Sequence, residues 1–267
     1  MLLHCPARDP KATQIVNDGI AEFCAVKSER LKGFGAVPMT DGAEAAKELE
    51  RCVRKLGFTG VEILTNVAGK ELSDAAFAPF WQKAEELGAL VMIHPNGFTD
   101  ASRLTRFYFN NVIGNPLETT VALHYLIFDG VLERHPRLKI LAVHGGGYLG
   151  AYSGRIDHAW GARSDSHGAL PQPPTTYLQR IYVDTVVFTP RQLAHWWERL
   201  ARITSCSEPI TPMTWRNMIR SAISPPLTVS MPRPSRHWPE AMRRSFSDCS
   251  AELDRTSYPS ERSRPNQ

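Results

Sequence analysis

The sequence predicts an α/β fold built on a parallel sheet. Five short and nearly continuous apolar runs alternate with amphipathic helical patterns. The runs lack the in/out alternation of a half-exposed antiparallel strand, as strands covered by helices do. Polar or ionisable residues recur toward their C-terminal ends: Asn66, His94, His144 and, somewhat earlier in its strand, Asp184.

The elements follow in order. Residues 11–30 read as a helix, with Ile15, Ile20, Phe23 and Val26 spaced for one apolar face. Gly33–Met39 is a small-residue apolar run closed by Pro38, read as a buried strand. Ala46, Leu49, Val53 and Leu56 then mark an amphipathic helix that stops at Gly57. Gly60–Asn66 is the second strand, Ala75–Leu87 a helix and Leu90–Pro95 the third strand. Pro116–Arg134 reads as one long helix, Lys139–Gly147 as the fourth strand and Tyr148–Ala162 as a helix. Ile181–Val187 is the fifth strand, and Pro190–Leu200 begins the next helix with proline in its first turn. Polar residues at strand ends line the active face of a (β/α)8 barrel and equally of an open doubly wound sheet. No glycine-rich G-x-G-x-x-G or G-x-x-x-x-G-K-[ST] loop opens a helix, which weighs toward the barrel.

Composition narrows the class. The chain of 267 residues, 42% hydrophobic and 22% charged, has the make-up of a folded globular protein. No apolar run reaches membrane-spanning length, and MLLHCPARDP lacks the pattern of a secretory signal. Five cysteines with no C-x-x-C pair argue against a disulfide framework or zinc ribbon, so a reducing, cytoplasmic setting is expected. Residues 1–200 balance 21 Lys and Arg against 21 Asp and Glu, so the fold itself offers no basic surface for nucleic acid.

His94 ends a hydrophobic strand before Pro95, and His144 ends another before three glycines. An imidazole there faces a barrel mouth, where a metal or substrate sits; a core histidine bonded to a neighbouring loop is the plainer alternative. The glycines serve either a tight turn or the close approach of backbone to a ligand. Asp184 suits orienting a histidine, binding substrate or a structural role. Arg103 and Arg106, after the third strand, are candidates to meet a substrate carboxylate, or are solvated loop residues.

The blocks LVMIHPNGF, NNVIGNPLETT, KILAVHGGGYLGAYSGRIDHAW and YVDTVVFTPRQL resemble the amidohydrolase-related family of aminocarboxymuconate-semialdehyde decarboxylase and its aromatic-acid decarboxylase relatives. The resemblance runs from about residue 12 to residue 199. It implies a (β/α)8 TIM barrel with a divalent metal, usually zinc, at its mouth, and a homodimer. It implies His94 as a metal ligand, His144 as the catalytic histidine, a small unsaturated or aromatic carboxylic acid as substrate and carbon–carbon lyase chemistry; a hydrolase of the same superfamily is the alternative. The five strands match family strands three to seven. The family's H-x-H ligand pair and G-[ST]-D-Y-P motif do not occur, so the chain as written is expected to be an incomplete, N-terminally truncated and inactive barrel over residues 1–199.

Composition changes abruptly at residue 200. Residues 201–267 hold ten Arg, no Lys, no Gly, twelve Ser and nine Pro. A single lost base at the Leu200 codon accounts for this. Shifting the frame back permits GADHIVLGTDYPYDMAEYDPIGH from Ala201–Ile223, which contains the missing G-T-D-Y-P block, and FAAADGLDAATVAALAGGNAAKLL from Ser224–Ser247. Some positions allow no choice: the Thr after Met213 and the Ile after Met218, for instance, each require an original Asp codon. The competing explanation is a genuine disordered Arg/Ser/Pro tail.

Overall fold

The computed structural model describes residues 9–26, 28, 31–168, 170–189 and 192. Helix α1 (Pro10–Ala25) starts on Asp9, whose carboxylate accepts from the Lys11 and Ala12 amides. Strand β1 (Phe34–Ala36) follows, then α2 (Gly42–Arg54), capped in the same way by Asp41, and β2 (Gly60–Ile63). A two-stranded antiparallel hairpin, β3 (Asn66–Val67) and β4 (Lys70–Glu71), precedes α3 (Ala78–Leu87) and β5 (Leu90–Ile93). A π-helical turn, Asn110–Gly114, runs into α4 (Asn115–Phe128). Strand β6 (Lys139–Ala142), a helix over Leu149–Ala162 and β7 (Tyr182–Val183) complete the main elements.

The large sheet has the order β1-β2-β5-β6-β7, and every pairing is parallel. Spatial order therefore follows chain order, and each crossover moves one strand over in the same direction. A doubly wound sheet must reverse direction at a switch point. None occurs among the described strands, so the winding is that of a (β/α)8 barrel. Leu49 of α2, Phe80 and Trp81 of α3, and Leu123, Leu126 and Ile127 of α4 pack with Val61, Val91, Ile93 and Ile140 of the strands in one core. Backbone approach within the sheet is close at Gly60, where a Cβ would collide with the Leu90 carbonyl oxygen of β5. No described helix is long and apolar enough to cross a membrane.

Several elements differ from the sequence expectation. The run Pro116–Arg134 is broken at Gly130 (φ +72°), and a separate turn of helix covers Val131–Arg134. Asn66 does not extend β2; it lies in the hairpin, where its side chain accepts from the Gly69 amide. Helix α1 ends at Ala25, and its buried residues are Thr13 and Asn17, while Ile15, Phe23 and Val26 are exposed. The reason is a polar demand at the edge of the sheet. Asn17 Oδ1 accepts from the Ala36 amide at 2.8 Å, and Asn17 Nδ2 donates to the Ala36 carbonyl at 2.9 Å. At Ala36 one carboxamide thus stands in for the peptide group of a neighbouring strand. Asn17 is in turn held by Glu48 Oε1 at 2.6 Å, and Glu48 by Arg51. The expected helix Pro190–Leu200 and the segment 200–267 lie outside the described residues, apart from Gln192.

Candidate active site

Strands β5, β6 and β7 lie side by side, and each delivers a candidate residue just past its C-terminal end. His94 follows Ile93 of β5, and its amide extends the ladder by donating to the Ile63 carbonyl at 2.9 Å. His144 follows Ala142 of β6 by two residues, and Asp184 follows Val183 of β7 directly. The two imidazoles meet edge to face with ring centroids 5.2 Å apart. The structure therefore brings together three of the four residues singled out at strand ends.

The ring of His94 has a defined tautomer. Its Nδ1 lies 2.8 Å from the Pro95 carbonyl oxygen. A carbonyl only accepts, so Nδ1 carries the proton and the lone pair is on Nε2. His144 sits differently. Burial pushes its pKa below the ordinary histidine value, with the Asp184 carboxylate acting in the opposite direction. Its Nδ1 is buried without a hydrogen-bond partner.

Strand β6 stops at Ala142, although the apolar run goes on to Val143, because the backbone then turns left-handed. His144, Gly145, Gly146 and Gly147 have φ of 58°, 61°, 71° and 68°. The amides of His144 and Gly145 donate to the two Asp184 carboxylate oxygens at 2.9 and 2.7 Å, and the Val186 amide adds a third bond at 3.1 Å. Successive amides in such a turn form an anion-binding nest. Here the anion is the protein's own carboxylate, which gives Asp184 a structural role. The glycines serve the tight turn: a Cβ on Gly147 would collide with the Pro116 carbonyl and the Thr120 hydroxyl of α4. Thr120 Oγ1 also accepts from the Tyr148 amide at 2.8 Å, fastening the far end of the turn to α4.

Arg103 and Arg106 lie exposed on the segment after β5, with the Arg106 guanidinium carbon 4.7 Å from the centroid of the Phe107 ring. Glu118 escaped the sequence reading. Its buried carboxylate accepts from the Thr99 amide and hydroxyl, at 3.0 and 2.9 Å, and from Thr65 Oγ1 at 3.5 Å. The available signal was an acid among the apolar residues of NPLETTVALHYLIF.

Imidazole nitrogen suits zinc and other first-row divalent metals. Two imidazoles do not complete a site, because zinc sites use at least three protein donors. Among the described residues no group of three or more His, Cys, Asp or Glu side chains is placed to hold a metal ion.

Comparison with known proteins matches residues 8–203 to a family model described as amidohydrolase. The chain is 37% identical over 175 residues to the 2-amino-3-carboxymuconate-6-semialdehyde decarboxylase of Dictyostelium discoideum, covering 65% of this chain and 49% of that protein. It thus spans about half the length of that curated relative. Among solved structures it is similar to 5-carboxyvanillate decarboxylase from Sphingomonas paucimobilis, with a TM-score of 0.70 and 25% identity over 74% of this chain and 63% of that one. It is also similar to a dihydroxybenzoic acid decarboxylase from Polaromonas sp. JS666, solved with bound manganese and the inhibitor 2-nitroresorcinol. There the TM-score is 0.66 and the identity 27%, over 72% of this chain and 61% of the other.

Proposed function

The chain belongs to the amidohydrolase family, and on that premise we propose that it derives from a metal-dependent decarboxylase of a small aromatic or unsaturated carboxylic acid. The observation that carries this reading is the His94–His144 pair, held ring against ring at the ends of adjacent parallel strands. That both solved relatives and the curated one are decarboxylases favours carbon–carbon cleavage over hydrolysis. Arg106, on the loop that follows His94, is the proposed partner of the substrate carboxylate.

Decarboxylation breaks the bond between the carboxyl carbon and the substrate carbon, releases carbon dioxide and puts a proton on the carbon left behind. In this reading His144 delivers that proton. Burial lowers the His144 pKa, so once the ring holds that proton it is a stronger acid than a free imidazolium. His94 would be one ligand of the divalent metal, zinc being the first candidate, but the other ligands the family uses, the H-x-H pair and the Asp of G-[ST]-D-Y-P, do not occur in the sequence as written. A homodimer and a cytoplasmic setting complete the proposal.

The reading extends past residue 199. We propose that residues 200–267 are the family's C-terminal part read one base out of frame. That the family match ends at residue 203 supports this. The test is to resequence the locus from well upstream of Met1 through the stop, and to assay the chain and its frame-restored form. Carbon dioxide release from 5-carboxyvanillate or a dihydroxybenzoate is expected from a restored form that also carries the H-x-H strand encoded upstream, and is abolished by His144→Asn. A locus that reads as given overturns the frame proposal. A restored form that hydrolyses esters or amides and releases no carbon dioxide overturns the decarboxylase.

A further inference from the structure

The loop after His94 is held in an unusual way. Three consecutive amides, those of Gly97, Phe98 and Thr99, donate to three side chains: Asn115 Oδ1 at 2.8 Å, Asn110 Oδ1 at 2.8 Å and Glu118 Oε2 at 3.0 Å. All three acceptors come from residues 110–118, and local helix geometry explains how they converge. In an α-helix, residues five apart point about 140° away from each other. The π turn at Asn110–Gly114 widens the helix there and brings Asn110 and Asn115 round to the same loop. Glu118, three residues on from Asn115, shares its face.

Packing is tight enough that two glycines are required. Gly97 (φ +80°) has no room for a Cβ beside the Asn110 carboxamide, and a Cβ on Gly114 would lie 2.6 Å from Asn110 Oδ1. Asn110 is thus wedged between the loop and its own helix. At the start of the same loop is Pro95, whose carbonyl oxygen accepts the hydrogen bond from His94 Nδ1.

We propose that Asn110, Asn115 and Glu118 are positioning residues for His94: by holding three consecutive amides of the following loop, they keep the Pro95 carbonyl on Nδ1 and fix which ring nitrogen carries the proton. The role belongs to the acceptor oxygens and not to charge. Glu118→Gln keeps an oxygen for the Thr99 amide, and its new amide can donate to the hydroxyls of Thr65 and Thr99. The catalytic meaning of this arrangement rests on His94 being a metal ligand. The readout does not, so a failed decarboxylation assay leaves the proposal standing or falling on its own data.

The test is nitrogen-15 NMR of the histidine rings of the full chain at about pH 8.5, where imidazole is neutral, with amide hydrogen exchange of residues 97–99. The unmodified chain is expected to show His94 protonated at Nδ1 and slow exchange at the three amides. Asn115→Leu, which keeps the branching but removes the acceptor, shifts His94 toward the mixed tautomers of a free imidazole and speeds exchange on the order of tenfold. Asn115→Asp keeps the oxygen and restores the unmodified pattern, as does Glu118→Gln. The proposal is overturned if Asn115→Leu folds and leaves the His94 nitrogens unchanged. It is equally overturned if the unmodified chain carries the proton on Nε2, or exchanges the three amides as fast as an open loop; neither result depends on any variant folding.

Discussion

Asn17→Leu keeps the branching at Cγ and removes every polar atom, so its effect isolates the capping of β1. The fully buried Asn17 satisfies both the amide and the carbonyl of Ala36. Glu48 keeps Arg51 as a partner when Asn17 is lost, so the uncompensated groups are the two main-chain ones. Leaving a buried donor or acceptor without a partner costs about 1–3 kcal/mol. The expected loss is therefore about 2–6 kcal/mol, a large share of the roughly 5–15 kcal/mol by which a domain is stable. With a urea slope of about 1–3 kcal/mol/M, the unfolding midpoint falls by on the order of 1 M or more, and size-exclusion chromatography shows oligomers as the strand edge opens. Asn17→Asp is the control. It keeps an acceptor for the Ala36 amide but turns a carboxylate on the Ala36 carbonyl and on Glu48, so it is expected to be at least as damaging. A loss below about 1 kcal/mol for Asn17→Leu, or near-normal stability for Asn17→Asp, would refute the edge-capping argument.

Other predictions concern chemistry and turns. Burial and the neighbouring Glu48 push the Cys52 thiol up to about 12, so iodoacetamide at about pH 8 should leave Cys52 unlabelled in the folded chain and label it on unfolding; peptide mass spectrometry reads this, and native labelling at a free-thiol rate contradicts it. Burial opposes ionisation of Glu85, but hydrogen bonds from the Arg137 amide and from His135 outweigh it and hold its pKa below 4.5. A depressed folded value stabilises above the unfolded pKa and is lost as pH falls through the folded one. Urea midpoints should therefore drop less steeply below about pH 4.5 in Glu85→Gln. Gly147→Ala places a methyl against the Pro116 carbonyl at φ +68° and should cost about 3 kcal/mol or more. His144→Asn should leave stability unchanged or raise it by up to about 1 kcal/mol, and a loss above that would count against strain at this residue.

All five sheet strands were legible in order, because apolar runs covered by helices leave an unambiguous mark on the sequence. Their ends were not. GVEILTN and KILAVHGGG remain apolar or small past the last paired residue, and only backbone conformation ends the strands at Ile63 and Ala142. The buried face of α1 was misjudged for a physical reason: periodicity counts hydrophobic residues, whereas the edge of β1 needed a carboxamide at Asn17. His94 and His144 were legible because each follows an apolar run and precedes a chain-turning residue. Asn110, Asn115 and Glu118 were not. They act on main-chain amides, which carry no residue-type signal, and the π turn that unites them departs from the 3.6-residue period on which helical faces are read.

The backbone and ring of His144 support its proposed chemical role independently of any relative. The turn it opens must reverse sharply, because Gly147 abuts Pro116 and Thr120 of α4. Glycine would adopt the left-handed conformation at that first position without strain, as it does at the three positions that follow. A histidine there costs about 1–2 kcal/mol, and its buried, unpartnered Nδ1 adds a desolvation cost. Asp184 offsets part of this through its bonds to the His144 and Gly145 amides. Those bonds are made by the main chain and would serve a glycine as well, so they explain the turn and not the imidazole. Packing does not explain the ring either, since it is only half-buried and its closest aromatic neighbour is another histidine. Strain and an unsatisfied polar atom at one residue, set against the ring of His94, therefore favour the proposed chemical role over a purely structural one.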